Sequence, residues 1–153
     1  MSGDDPRKLL RRESRALVQR LRLWTPARWA AAAPDVWPDV GPGLTRGDLA
    51  YRLAQAWADQ AAELEGGPRR VLPRLDSDLG LADQLAVTVD DLLRAGLDGP
   101  AARTATAHLL VHRLDLLGEQ VPTSLADSLG IDVLFTGRKV CRCDKIDRTA
   151  LEE

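Results

Sequence analysis

Two histidines and an aspartate in the C-terminal half of the chain have the spacing of metal ligands. His108, His112 and Asp115 stand at positions i, i+4 and i+7, so a helix would present all three on one face. Imidazole and carboxylate groups on one face can converge on a single metal ion. A histidine pair of this spacing, without the intervening glutamate of a metalloprotease, is more often a pair of packed or surface histidines, and that interpretation stays open.

The elements that would position these residues are predicted to be helices. Apolar residues make up 44% of the chain, and they are mostly alanine and leucine, which favour helices over strands. Apolar residues recur at helical spacing, between prolines, glycines and capping residues, over residues 6–23, 45–65, 81–96 and 100–118. Shorter helices are expected after Thr25 and over residues 124–129. The sequence therefore predicts an all-α protein, a four-helix bundle with short accessory helices.

The domain organisation and the location follow from length, charge and hydropathy. Residues 1–137 are predicted to form a single helical-bundle domain, and residues 138–153 a charged, flexible tail. The formal net charge is -2, and no run of about 18 apolar residues or cleavable N-terminal segment occurs. We therefore expect a cytoplasmic protein without a membrane span. Cys141 and Cys143 are too close in sequence for an unstrained disulfide, which predicts free thiols.

Three segments of the chain resemble parts of a known helical family. The segments LRLWTPARWAAAAP, TRGDLAYRLAQAWADQAAELEGG and TAHLLVHRLDLLGEQVP lie between residues 15 and 122. They resemble the DinB-like family, in particular the N-terminal domain of mycothiol-dependent maleylpyruvate isomerases. That family has a helix of the pattern D-x-x-x-H-L-A and a later helix of the pattern E-or-H-x-x-x-H-x-x-D-L. The resemblance implies a four-helix bundle and places His108, His112 and Asp115 on the second pattern.

The chain departs from the family pattern at Arg52, which stands where the resemblance implies a histidine ligand. A guanidinium is always protonated and has no lone pair, so it cannot bind a cation. In one interpretation Arg52 pairs with Asp48 or Asp115 in a bundle that has lost its metal. In the other, Arg52 joins His108 and His112 in a pocket for a carboxylate or a low-molecular-weight thiol, with a histidine as acid or base near neutral pH.

Three functions are predicted, and they are given from the most to the least expected. The first is a degenerate DinB-like protein that binds a small molecule or thiol cofactor, with or without zinc on the two histidines, at Arg52, His108, His112 and Asp115. The second is a noncatalytic helical module that binds a protein partner or itself, which an apolar stripe left exposed on the first helix would favour. The third is a DNA-binding regulator that uses the basic first helix and the segment of residues 123–140, which begins with TSLADSLGI. Binding to nucleic acid is the least expected of the three, and whether the protein is an enzyme stays open.

Overall fold

A computed structural model describes residues 5–32 and 44–117 of the chain. These ranges contain five helices, α1 (Pro6–Leu21), α2 (Pro26–Ala30), α3 (Arg46–Glu65), α4 (Leu81–Arg94) and α5 (Gly99–Leu117), and a 3₁₀ turn at Asp78–Gly80. No strand occurs in the described ranges, so the predicted all-α class is confirmed. The predicted helix at residues 124–129 and the tail from residue 138 lie outside them. None of the described helices is both long and apolar enough to span a membrane.

The two helices α1 and α4 lie side by side and run antiparallel. Arg22, directly after α1, pairs with Asp83 in the first turn of α4 at 3.0 Å. At the opposite end, Arg7 of α1 donates a hydrogen bond to the carbonyl oxygen of Leu93 near the end of α4, at 3.1 Å. These two contacts tie each end of α1 to the opposite end of α4.

The second antiparallel pair is α3 and α5. Trp57 Nε1 in the middle of α3 donates to the carbonyl oxygen of Ala105 at 3.1 Å. Arg46, the first residue of α3, donates to the carbonyl oxygen of Leu116 near the end of α5. Because α1 and α3 each pack against both α4 and α5, the four long helices form a bundle with α1 diagonally opposite α3.

The connection from α3 to α4 runs back along α3 instead of turning directly into an antiparallel neighbour. Tyr51 Oη donates to the carbonyl oxygen of Leu72 at 2.7 Å, and Gln55 Oε1 accepts from the Leu72 backbone N–H at 2.8 Å. Further along, Arg74 reaches Asp48 in the first turn of α3 at 3.0 Å. The chain therefore returns to the N-terminal end of α3 before α4 begins, and the two helices run parallel.

The core differs between the helices. α1, α3 and α4 each bury one stripe, as expected for helices that pack on one side. In contrast, α5 is buried on every side from residue 105 to residue 112. Trp24 and Trp29 are also buried and pack edge to face, with ring centroids 4.7 Å apart. Both histidines of α5 are therefore interior residues, whichever way they face.

The start and end of α3 confirm the signals in its sequence. The Asp48 backbone N–H donates to Thr45 Oγ1 at 3.1 Å, and the Thr45 N–H donates to Asp48 Oδ2 at 2.9 Å, which completes a capping box. Burial raises the pKa of Asp48, but hydrogen bonds from Thr45 and Arg74 outweigh burial and hold the pKa below its ordinary value. At the other end, Gly66 adopts φ 73°, a left-handed conformation that glycine reaches without strain.

Replacing Thr45 by alanine is expected to lower the free energy of unfolding by about 1 kcal/mol, because the N-terminal N–H groups of α3 lose an acceptor. Urea unfolding followed by far-UV circular dichroism measures this loss. Thr104→Ala is the matched control, since Thr104 lies inside α5 and only bonds back to the carbonyl oxygen of Pro100. Equal losses of free energy of unfolding in the two variants would show that the N-cap of α3 contributes no more stability than a threonine inside a helix.

Candidate functional site

His108 and His112 lie one turn apart on α5 and are 7% and 5% exposed. His112 Nδ1 stands 2.7 Å from the carbonyl oxygen of His108. Because a carbonyl oxygen can only accept a hydrogen bond, Nδ1 must carry the proton, and the lone pair of the neutral ring is then on Nε2. The fold thus fixes both the position and the tautomer of His112, through a partner on its own helix.

The charge state of His112 follows from its burial. Burial lowers the pKa of His112 to about 4, and electrostatic interactions with His108 and Arg52 act in the same direction. The hydrogen bond to the carbonyl oxygen of His108 opposes this shift but does not cancel it. The ring is therefore neutral near pH 7. A histidine that acts as acid or base near neutral pH stays a prediction, and the low pKa of His112 does not favour that role, because desolvation penalises its charged form.

Arg52 occupies a different place from the one that its predicted pairing requires. Its side chain is exposed on α3, although its charge still acts on His112. Asp48, the predicted partner, instead pairs with Arg74 at 3.0 Å, and Arg74 also pairs with Asp78 at 2.7 Å. The pairing of Arg52 with Asp48 was wrong because the connection that returns along α3 brings another arginine to that carboxylate. The side chain of Asp115 lies outside the described part, so a pairing with it stays a prediction.

Arg46 is a candidate site residue that sequence reasoning missed. It is half-buried where α3 meets α5, and it donates to the carbonyl oxygen of Leu116, one turn beyond His112. Its buried Nε has no hydrogen-bond partner among the described residues. An arginine directly after an N-cap is typical of a solvated helix end, so its sequence position gives no sign of burial. One general preference agrees with its position, since cations are favourable near helix C-termini. The antiparallel pairing of α3 and α5 places Arg46 at the C-terminal end of α5.

The described residues do not fit the zinc site that the resemblance implies. Two imidazoles supply at most two ligands, and the third position carries the exposed Arg52. Across residues 5–32 and 44–117, no group of three or more histidine, cysteine, aspartate or glutamate side chains is arranged to hold a metal ion. A structural or catalytic zinc ion in proteins takes at least three protein ligands, so the histidine pair of α5 does not make a zinc site by itself.

The exposed face of α1 is basic instead of apolar. Its exposed residues are mostly cations, namely Lys8, Arg11, Arg12, Arg15 and Arg20. The apolar stripe on this helix that would favour a binding module is therefore missing, because the leucines of α1 are turned into the bundle. The segment 123–140 and both cysteines lie outside the described residues. DNA binding through that segment, and the state of the thiols, stay predictions.

No protein-family model, curated protein or solved structure matches this chain. The resemblance to the DinB-like family therefore rests on the three quoted segments alone, and it remains a prediction.

Proposed function

We propose that this chain is a degenerate DinB-like bundle that binds a small anionic molecule, a carboxylate or a low-molecular-weight thiol, where α3 meets α5. The observation that carries the proposal is the buried Nε–H of Arg46, which has no acceptor among the described residues. A buried donor without a partner costs about 1 to 3 kcal/mol, and more on a charged group. An anionic ligand that accepts from this guanidinium would remove that cost.

The other residues of the site support an anion more than a cation. Arg52 is exposed on the same helix, so it can meet an anion arriving from solvent. His112 is neutral at pH 7, so two arginines set the charge of the site. Guanidinium groups bind carboxylates through two parallel hydrogen bonds, which gives both affinity and orientation. Because His112 does not titrate near neutrality, we expect His112 to add no pH dependence to the affinity between about pH 6 and pH 8.

Calorimetric titration with N-acetylcysteine tests the proposal, because this probe carries both a carboxylate and a thiol. N-acetylserine lacks the thiol and N-acetylcysteine methyl ester lacks the carboxylate, so the pair shows which group is recognised. Arg52→Gln is the main variant, since an exposed side chain can be changed without unfolding the bundle. We expect it to weaken binding of N-acetylcysteine about tenfold, equivalent to about 1.4 kcal/mol.

Two further variants complete the experiment. Arg46→Gln removes the second guanidinium and is expected to weaken binding at least as much as Arg52→Gln, with its fold checked by circular dichroism. Arg103→Gln is the control, because Arg103 is exposed near the opposite end of α5. Absence of binding for all three probes, or equal affinity in the Arg52 and Arg103 variants, would contradict the proposed function.

A further inference from the structure

A groove of about 620 Å³ runs between α1 and α4 on the side of the bundle. Its floor is apolar and includes Val18, Val89 and Leu93, and Val87 is 60% exposed at its edge. This groove lies between α1 and α4, whereas the proposed anion site lies between α3 and α5. The two sites use different helices, so the groove needs its own explanation.

The two banks of the groove carry opposite charges. The α1 bank presents Arg11 and Arg15, and the α4 bank presents Asp90 and Asp91 beside the cation Arg94. All five are exposed. Among the residues that the structure describes, Asp90 pairs only with Arg94 of its own helix, at 2.8 Å, and exposed pairs of that kind contribute little.

Arg11, Arg15 and Asp91 have no ion-pair partner among the residues that the structure describes. Each bank therefore offers charges that the folded chain leaves available.

The charges of the two banks stand at similar heights along the bundle. Arg15 precedes Arg22 by seven residues and Asp90 follows Asp83 by seven, and Arg22 pairs with Asp83. Seven residues of helix rise roughly 10 Å, so Arg15 and Asp90 lie about equally far from that pair. A partner surface would need acidic groups over α1 and basic groups over α4 at this level. A second copy of this groove, turned by a two-fold rotation, presents acidic groups to α1 and basic groups to α4 of the first copy.

We propose that the groove is the interface of a symmetric dimer of this chain, in which α1 of each copy packs on α4 of the other. A two-fold axis parallel to the helices places α1 of one copy over α4 of the second and keeps every residue at its height. Arg15 of each copy then faces Asp90 of the other, whereas Arg11 lies one turn further along, about level with Arg94 of the other copy. Val87 on α4 is then covered by α1 of the other copy, which adds apolar contact to the interface.

The alternative two-fold arrangement is excluded by charge. An axis in the interface but perpendicular to the helices would put α1 on α1 and α4 on α4. The basic face of α1 would then meet itself, and so would the acidic face of α4, and like charges in contact oppose association. The charge pattern therefore selects both the partner and its orientation.

Two charge-reversal variants test the dimer by sedimentation equilibrium of the full chain. The first, Arg11→Glu with Arg15→Glu, makes both banks acidic; the second, Asp90→Lys with Asp91→Lys, makes both banks basic. We expect the unmodified protein to dimerise, with a dissociation constant that rises at least about tenfold between roughly 0.05 M and 0.5 M salt. Each variant alone should be monomeric, since its two contacts are between like charges.

Mixing the two variants is the decisive step, because a heterodimer would restore opposite charges at both contacts. We expect dimers to return in the mixture. The control, Arg70→Glu with Arg103→Glu, changes the net charge as much as the first variant but away from the groove, and it should dimerise like the unmodified protein. A monomeric unmodified protein, a dimer that survives both reversals, or a mixture that stays monomeric would each overturn the proposal. Loss of anion binding in the Arg52 variant would leave this result unchanged.

Discussion

Replacing Trp57 by alanine is expected to lower the free energy of unfolding by about 4 kcal/mol, the largest effect of any single change proposed for this protein. Trp57 is fully buried in the middle of α3, and its Nε1 donates to the carbonyl oxygen of Ala105 on α5. Truncation removes a large apolar surface, leaves a cavity between two helices and breaks a buried hydrogen bond. A domain of this size is stable by about 5 to 15 kcal/mol, so such a loss is a large share of the total.

Urea unfolding followed by far-UV circular dichroism measures this effect without using tryptophan fluorescence. Trp57→Phe keeps most of the ring volume but loses the hydrogen bond, so we expect a smaller loss of about 1 to 2 kcal/mol. That milder variant keeps the comparison measurable if the alanine variant does not fold. Leu64→Ala is the control on the same helix, because Leu64 is 37% exposed and should change stability by less than about 1 kcal/mol. A Trp57→Ala loss no larger than the Leu64→Ala loss would contradict the packing of α3 on α5.

Acidification from about pH 7 to about pH 4 is expected to remove roughly 3 kcal/mol of stability through His112 alone. Burial lowers the pKa of His112 from 6.5 to about 4. Above the unfolded pKa the ring is neutral in both states, so His112 adds no pH dependence there. Between the two pKa values the unfolded chain binds a proton that the folded chain excludes, so stability falls as the pH falls. Below the folded pKa both states are protonated and the loss is complete.

His112→Leu isolates this contribution, because leucine has a similar size and cannot titrate. We expect the variant to lose about 3 kcal/mol less than the unmodified protein over the same pH interval. Asp48 does not interfere, because both proteins carry it and its contribution cancels in the difference between them. Imidazole chemical shifts in a pH titration by NMR give the folded pKa directly. Equal pH dependence in the two proteins, or a measured pKa of His112 near 6.5, would contradict a buried neutral ring.

The ends of the helices are determined by local sequence, which is why they could be predicted. Thr25 caps α2 and Thr45 caps α3 through contacts that span three residues. Gly66 and Gly96 follow α3 and α4 with positive φ, where glycine costs least. The capping threonines and their hydrogen-bond partners are close together in the chain, and each glycine lies directly after the helix that it ends. No knowledge of the path between helices is needed for such a prediction.

The direction of α4 could not be predicted in this way. An extended segment covering residues 66–77 reaches about 40 Å, which exceeds the roughly 30 Å length of α3. Its length therefore allows α4 to start at either end of α3. Only the contacts of Tyr51 and Gln55 with Leu72 show that the chain returns to the first end. Residues 95–98, in contrast, are too few for anything but a close turn into α5.

The candidate site shows the same division between local and tertiary information. The sequence by itself determined that His108 and His112 share a helix face, because their spacing matches the helical repeat. Only the tertiary structure decided that both are buried, that Asp48 pairs with Arg74 in place of Arg52, and that Arg46 is half-buried against α5. The reason is that spacing along a helix depends on backbone geometry alone, whereas burial and ion pairing depend on segments that are distant in the chain.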